Sequence, residues 1–206
     1  MIQYKRTGFS RKQLIEATNI QVRELNKGFL SSFGEKALFL IISHIAKSIS
    51  GVAVLAIDET NDRVIGYVLG TLSAKKLYKD FILKKTPQAL YYFLPKLLSY
   101  EKIKKAFETL LYPSKKISDN LPEPELLDLA VLSEFHGLEV AKNLFLHFSD
   151  ELQRRGFSEF KIPTASSLTR AHKFYEKMGA YQDSSFTLHD GQDTLYYVYR
   201  MPQAIS

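Results

Sequence analysis

The sequence predicts one α/β domain over residues 1–206, built on a mixed, mostly antiparallel sheet flanked by helices, and three observations carry that expectation. Two apolar runs, Val52 to Ile57 and Val64 to Leu72, are joined across the polar loop Asp58 to Arg63, as in an antiparallel hairpin. From Leu126 to Met178 the hydrophobic spacing alternates between a period of two and one of three to four, which reads as strand, helix, strand, helix. A closing pair of strands, Tyr181 to Leu188 and Thr194 to Met201, flanks His189-Asp190-Gly191-Gln192-Asp193. With 45% hydrophobic content, 14 Phe and 12 Tyr, the chain can fill the core of a single domain.

The remaining elements follow in order. Ile2 to Arg6 is a short strand, and Ser10 is an N-cap candidate for a helix running to about Lys27. A second helix spans roughly Glu35 to Ser48. Leu126 to Leu132 is a strand, and Leu138 to Arg155 an amphipathic helix. That helix turns Ala141, Leu144, Phe145, Phe148 and Leu152 to the sheet and Lys142, Asp150 and Arg154 to water, with Gly156 as its stop. Phe160 to Pro163 and Leu168 to Met178 complete the unit. Tyr196, Tyr197 and Tyr199 in the last strand suit either core packing or a homodimer edge, and core packing is the preferred reading.

The net charge of +6 is concentrated in one segment. Residues 75–119 hold eleven lysines against four acids, so this segment carries +7 and the remainder of the chain −1. Its lysines alternate with apolar residues at helical spacing, with Pro87, Pro95 and Pro113 expected as breakers, so a helical lysine-rich insert is predicted. A solvated lysine face is the simplest reading; a surface for an anionic substrate, a membrane or a polyanion is the sharper one. No RNA-binding signature or helix-turn-helix spacing accompanies the basic segment, so nucleic acid is not expected as a partner.

Absent residue types narrow the chemistry. The chain has no cysteine, which excludes disulfides and a thiolate nucleophile, and its five histidines show no metal-ligand spacing, so no metal is expected. The longest apolar run, Ala37 to Ile42, is too short to cross a bilayer, and the opening Met-Ile-Gln-Tyr-Lys-Arg lacks an apolar leader core. No stable membrane insertion and a cytoplasmic location are the expectations.

The junction of the strand from Leu126 with the helix from Leu138 is where function becomes legible. Gly137 would let a ligand approach the backbone closely, and the free N–H groups and positive dipole end of the helix favour an anion. In the preceding strand, Asp128 is an acid inside the apolar run Leu126-Leu127-Asp128-Leu129-Ala130-Val131, out of place unless its face opens onto a cleft. Simple alternation puts Asp128 on the opposite strand face from Glu125. Glu125 itself follows Pro122-Glu123-Pro124 and reads either as a site residue or as an exposed strand entry.

Three runs, Glu125 to Val131, Phe135 to Leu144 and Ala171-His172-Lys173-Phe174-Tyr175-Glu176-Lys177-Met178-Gly179, resemble the GNAT superfamily of acyl-CoA-dependent N-acetyltransferases. The resemblance implies a GNAT-like sheet splayed beside the Glu125 strand, acetyl-CoA as co-substrate, and a primary amine of a small molecule as acceptor. It implies that Leu129, Ala130 and Val131 line the pantetheine, and that His136, Gly137, Leu138, Glu139, Val140, Ala141 and Lys142 surround the pyrophosphate. It places Tyr175 as proton donor to the leaving thiolate, and Glu125 or Asp128 as general base. The family's loop usually reads Arg or Gln, two residues, Gly, one residue, then Gly or Ala; here those positions are His136, Glu139 and Ala141. Glu139 sets a carboxylate where a diphosphate is expected, and Lys142 stands one step on to offset it. The lysine-rich insert favours an anionic acceptor such as a nucleotide-linked amino sugar. The alternative is a non-catalytic GNAT-like protein that binds acyl-CoA or a polyanion.

Overall fold

A computed structural model of the chain describes residues 1–25, 34–93, 121–137, 139–187 and 193–202. The elements are β1 (Ile2–Lys5), α1 (Arg11–Glu24), α2 (Glu35–Lys47), β2 (Gly51–Asp58), β3 (Arg63–Thr71), α3 (Ala74–Phe93) and β4 (Glu125–Val131). A short 3-10 turn, Ser133–Phe135, leads to α4 (Val140–Arg154), β5 (Glu159–Ala165), α5 (Thr169–Lys177), β6 (Tyr181–Thr187) and β7 (Asp193–Arg200). The expected order holds, with boundaries moved by one or two residues at most ends. The helix expected from Leu138 opens at Val140, and Leu138 lies outside the described residues.

Local chemistry explains the edges of these elements. Ser10 caps α1 with a capping box, its hydroxyl accepting from the Gln13 N–H while the Gln13 side chain accepts from the Ser10 N–H. α3 runs through Pro87 to Phe93, so this proline does not break the helix where it was expected to; it removes one helical hydrogen bond and the helix continues. The rest of the predicted insert, residues 94–120, lies outside the described residues.

Seven strands form one sheet in the order β1-β2-β3-β4-β5-β7-β6. All neighbours are antiparallel except β4 and β5, whose parallel pairing is confined to one register point, Glu125 with Lys161. Beyond that point the two strands diverge, leaving a gap beside Leu127 to Val131. The sheet is therefore splayed at its centre.

A β-bulge sets what faces that gap. Across β3 and β4, Leu69 pairs with Asp128 but Gly70 pairs with Leu126, so Leu127 is an extra, unpaired residue on β4. Residues directly opposite in a ladder share a face. Thr71 opposite Glu125, Leu69 opposite Asp128 and Tyr67 opposite Ala130 thus all lie on one face. The bulge inverts the alternation, and Glu125 and Asp128 share a face rather than opposing each other as the sequence pattern suggested.

The other face is held by α4. Leu144, Phe145, Phe148 and Leu152 are fully buried, and Phe145 and Phe148 pack on Phe160 of β5 with ring centroids 5.5 and 5.2 Å apart. Phe148 rests directly on the backbone of β3: a methyl group added at Gly70 would lie 2.4 Å from its ring. α1 and α2 cover the opposite face over β2, β3 and β4. Tyr196, Tyr197 and Tyr199 are buried in β7, an internal strand, so the core reading of these tyrosines stands.

Gly70→Ala is expected to push Phe148 off the sheet and destabilise the chain by about 1–3 kcal/mol, read as a lower urea midpoint at unchanged slope.

Candidate active site

Asp128 stands on β4 at the mouth of the gap, half-buried, and accepts a 2.7 Å hydrogen bond from the hydroxyl of Tyr67, a fully buried β3 residue on the same face. Burial raises its carboxyl to about 6, against the opposing hydrogen bonds from Tyr67 and the Leu129 N–H. It is therefore ionised at neutral pH but a far better proton acceptor than an exposed aspartate. Tyr175, on α5, approaches from the other face, where its ring lies 6.3 Å from Phe145 and 6.3 Å from Tyr197. Its phenol is pushed well above the ordinary tyrosine range by burial and then by the charge of Asp128. Phe145 and Tyr197 line the α4 face and Asp128 the opposite one, so the charge of Asp128 reaches Tyr175 from the other side of the sheet.

Glu125 lies at the apex of the gap. Its carboxylate is 3.8 Å from the ammonium of Lys161, and both side chains are almost out of solvent, 12% and 15% exposed. Lys161 also donates to the carbonyls of Pro122 (2.7 Å) and Glu123 (3.3 Å), so one buried cation ties the entry of β4 to β5. Burial raises the Glu125 carboxyl and Lys161 opposes the rise. The phenols of Tyr78 on α3 and Tyr196 on β7 are raised by burial and then by the Glu125 charge. Glu125 is thus enclosed and not an exposed strand entry.

The loop past β4 is shaped by two left-handed residues. Gly137 has φ +85° and no heavy atom within 4 Å of where a Cβ would stand, so its surface is open to a ligand. Glu139 has φ +58°, a conformation that favours glycine, and it caps α4 without a side-chain hydrogen bond to the helix. The first N–H groups of α4 therefore remain available to an anion. The Glu139 carboxylate swings outward to Lys142, 2.9 Å away, and that pair with the charge of Lys177 holds it below the usual carboxylate range.

His136 turns inward. Its Nε2–H donates to the Val131 carbonyl at 3.0 Å, leaving Nδ1 to accept from Arg170 of α5 at 3.5 Å. Because the Leu132 N–H bonds Ile65 of β3, the neighbouring Val131 directs its peptide groups to the gap side of the strand. Leu129, two residues earlier, has the same orientation, while Ala130 is buried opposite Tyr67.

The fold thus sets Glu125 and Asp128 on one face of β4 and Tyr175 beyond the other, with residues 129–131 along the gap and His136, Gly137 and Glu139 in the loop that follows. Sequence reading overlooked Tyr67, Tyr78, Lys161 and Arg170. A lysine inside Phe160-Lys161-Ile162 was a visible signal, since a charge in an apolar strand needs a partner; Tyr67 carried only the fainter mark of a hydroxyl in an apolar run. Among the described residues no cluster of potential metal ligands occurs, and no helix is long and apolar enough to cross a membrane.

The carboxyl of Asp128 binds its proton more tightly in the folded chain than in the unfolded one, so its contribution to stability is lost as pH rises from about 4 to about 6. Asp128→Asn, which cannot ionise, is expected to be more stable than the parent by on the order of 1–3 kcal/mol at pH 7.5 and to lose that advantage near pH 4, as measured by denaturant titration at the two pH values.

Comparison with known proteins agrees with this geometry. The family model described as "Acetyltransferase (GNAT) family" matches residues 20–180. Among solved structures, the ribosomal-protein-S18-alanine N-acetyltransferase from Escherichia coli aligns with TM-score 0.57 at 14% identity, over 99% of this chain and 96% of that one. Arabidopsis thaliana NAA60, in complex with a bisubstrate analogue, aligns with TM-score 0.59 at 14% identity, over 99% and 100%. The NatC complex bound to Gag peptide and CoA contains a chain that aligns with TM-score 0.55 at 15% identity, over 98% and 99%. Among curated proteins no sequence matches significantly. At these identities the structures speak for the fold, and the family model, which spans most of the sequence, for membership: the chain belongs to the GNAT acetyltransferase family.

Proposed function

We propose that this protein transfers the acetyl group of acetyl-CoA to the primary amine of a small molecule. The observation that carries the reading is the gap between β4 and β5, through which Asp128 on one face and Tyr175 on the other come within electrostatic reach. An extended thioester with a diphosphate tail suits the residues around that gap. The outer edge of β4 turns the Leu129 carbonyl and the Val131 N–H to the gap for a pantetheine, Gly137 is open, and α4 begins without a side-chain cap. His136 to Lys142, with Leu138 among them, would surround the pyrophosphate. Glu139 is the one unfavourable charge, and its pairing with Lys142 turns it aside.

Acetyl-CoA supplies an activated acyl carbon on a sulfur leaving group. Asp128 takes the proton of the acceptor ammonium, a task suited to a carboxylate raised to about 6. The Val131 N–H, directed to the gap, meets the oxyanion as the carbonyl is attacked. Tyr175, whose phenol stays protonated at neutral pH, hands its proton to the departing sulfur. Glu125, deeper and held by Lys161, is the second carboxylate that the acceptor meets. Acceptors enter from the side of α1 and α3. Lys75, Lys76 and Lys79 are exposed there around Tyr78, which favours an anionic acceptor such as a nucleotide-linked amino sugar.

The carboxylate of Glu139 favours one competing reading, a protein that binds acyl-CoA or another polyanion without turnover. Calorimetric titration with acetyl-CoA, followed by thiol release across a panel of primary amines, separates the two. Binding without thiol release would favour the non-catalytic protein, and no heat at millimolar acetyl-CoA would remove both. For the catalytic reading, Tyr175→Phe should lower kcat about 100-fold with acetyl-CoA affinity unchanged. Asp128→Asn should lower kcat/KM by about 100-fold or more and erase an acidic limb expected near pH 6. Glu139→Gly relieves both the left-handed strain and the like charge, so acetyl-CoA should bind about 3- to 10-fold more tightly; equal affinity would show that the carboxylate never meets the diphosphate.

A further inference from the structure

The loop that should seat the diphosphate supplies few cations of its own. Its expected arginine or glutamine is His136, and its expected glycine is Glu139. The His136 ring is spent on the strand: Nε2–H donates to the Val131 carbonyl, so the nitrogen turned away from the strand is a lone-pair acceptor with no proton to offer an anion. Lys142 is engaged with Glu139 at 2.9 Å. Cationic groups reach this loop instead from α5. The Arg170 guanidinium lies 3.5 Å from His136 Nδ1, and the charge of Lys177, two helical turns further on, is felt at Glu139. Among the described residues no carboxylate stands within ion-pair distance of Arg170, and its side chain is exposed.

We infer that Arg170 binds the diphosphate of the acyl donor from helix α5, in place of the side chain that the 136–142 loop lacks. The inference rests on the acetyl-CoA reading above. A guanidinium has five donors in a planar fork, so a single contact to His136 leaves the remainder for two phosphate oxygens. His136 acts here as a positioning residue. Clamped by its Nε2–H to the strand that would line the pantetheine, it presents a fixed acceptor that holds Arg170 beside the loop, one residue from the open Gly137. α5 would then serve both ends of one ligand, with Arg170 in its first turn at the diphosphate and Tyr175 at the sulfur.

The test is calorimetric and needs no acceptor. The full chain, Arg170→Gln and Lys173→Gln are titrated with acetyl-CoA and with 3′-phosphoadenosine 5′-diphosphate, the nucleotide half of CoA, with thermal melting to confirm that each variant folds. Lys173 is an exposed cation on the same helix, and among the described residues no hydrogen bond or ion pair joins it to the loop, so its variant measures the loss of one nearby charge. Arg170→Gln should weaken both ligands by 10- to 100-fold, and Lys173→Gln by no more than about 3-fold. Equal losses in the two variants would overturn the inference, reducing Arg170 to part of a diffuse field. A loss for acetyl-CoA without one for the nucleotide half would also overturn it, since the effect would then lie at the thioester end. If the parent chain binds neither ligand, the acetyl-CoA reading fails and this inference with it; if the parent binds and Arg170→Gln binds equally, only the inference fails.

Discussion

The extra residue Leu127 in β4 is the constraint on which the site depends. A regular ladder would alternate Glu125 and Asp128 to opposite faces, one of them pressed against the phenylalanines of α4, where an ionised carboxylate has no water and no partner. The bulge turns both acids to one face and leaves Leu126, Leu129 and Val131 for the aromatic side. It also stands where β4 parts from β5, immediately past the one pairing point, Glu125 with Lys161. A local irregularity of one residue therefore sets both the direction of the acids and the place where the sheet opens.

The strands that border the gap are held by two different kinds of contact. At the apex, Lys161 makes hydrogen bonds to two carbonyls and faces the Glu125 carboxylate, a buried polar knot whose members depend on one another. On the α4 face, the aromatic layer of Phe145, Phe148, Phe160 and Tyr199 packs α4 onto β5 and β7, and Phe145 also meets Phe174 and Tyr175 of α5. The hydrophobic layer supplies rigidity, and the polar knot ties the two strands at their one pairing point. Keeping Asp128 ionisable in such surroundings costs stability, the usual relation between a tuned catalytic group and the fold that carries it.

The loop after β4 departs from the family pattern in a way that is also physically coherent. Glu139 keeps the left-handed backbone that a glycine would adopt, so the turn geometry survives although the residue is strained. Its charge is led away by Lys142, and the cationic groups that approach the loop from outside belong to α5. Backbone shape and side-chain charge have thus been separated: the loop contributes the first, its neighbours the second.

The sequence by itself determined the element order, the amphipathic face of α4 and the cap at Ser10, because each is written in local periodicity or in residues a few positions apart; Asp128 stood out as an acid in an apolar run, while Glu125, Tyr175 and 136–142 became candidates through the family resemblance. It misjudged Pro87, since one lost hydrogen bond does not end a helix. It also misjudged the facing of Asp128, because an unpaired residue is invisible until the partner strand fixes the register. Only the tertiary structure joined Tyr67 to Asp128, Lys161 to Glu125 and Arg170 to His136, which lie 61, 36 and 34 positions apart in sequence. Those pairings follow from which strands and helices come to lie side by side, and no local pattern of residues records that.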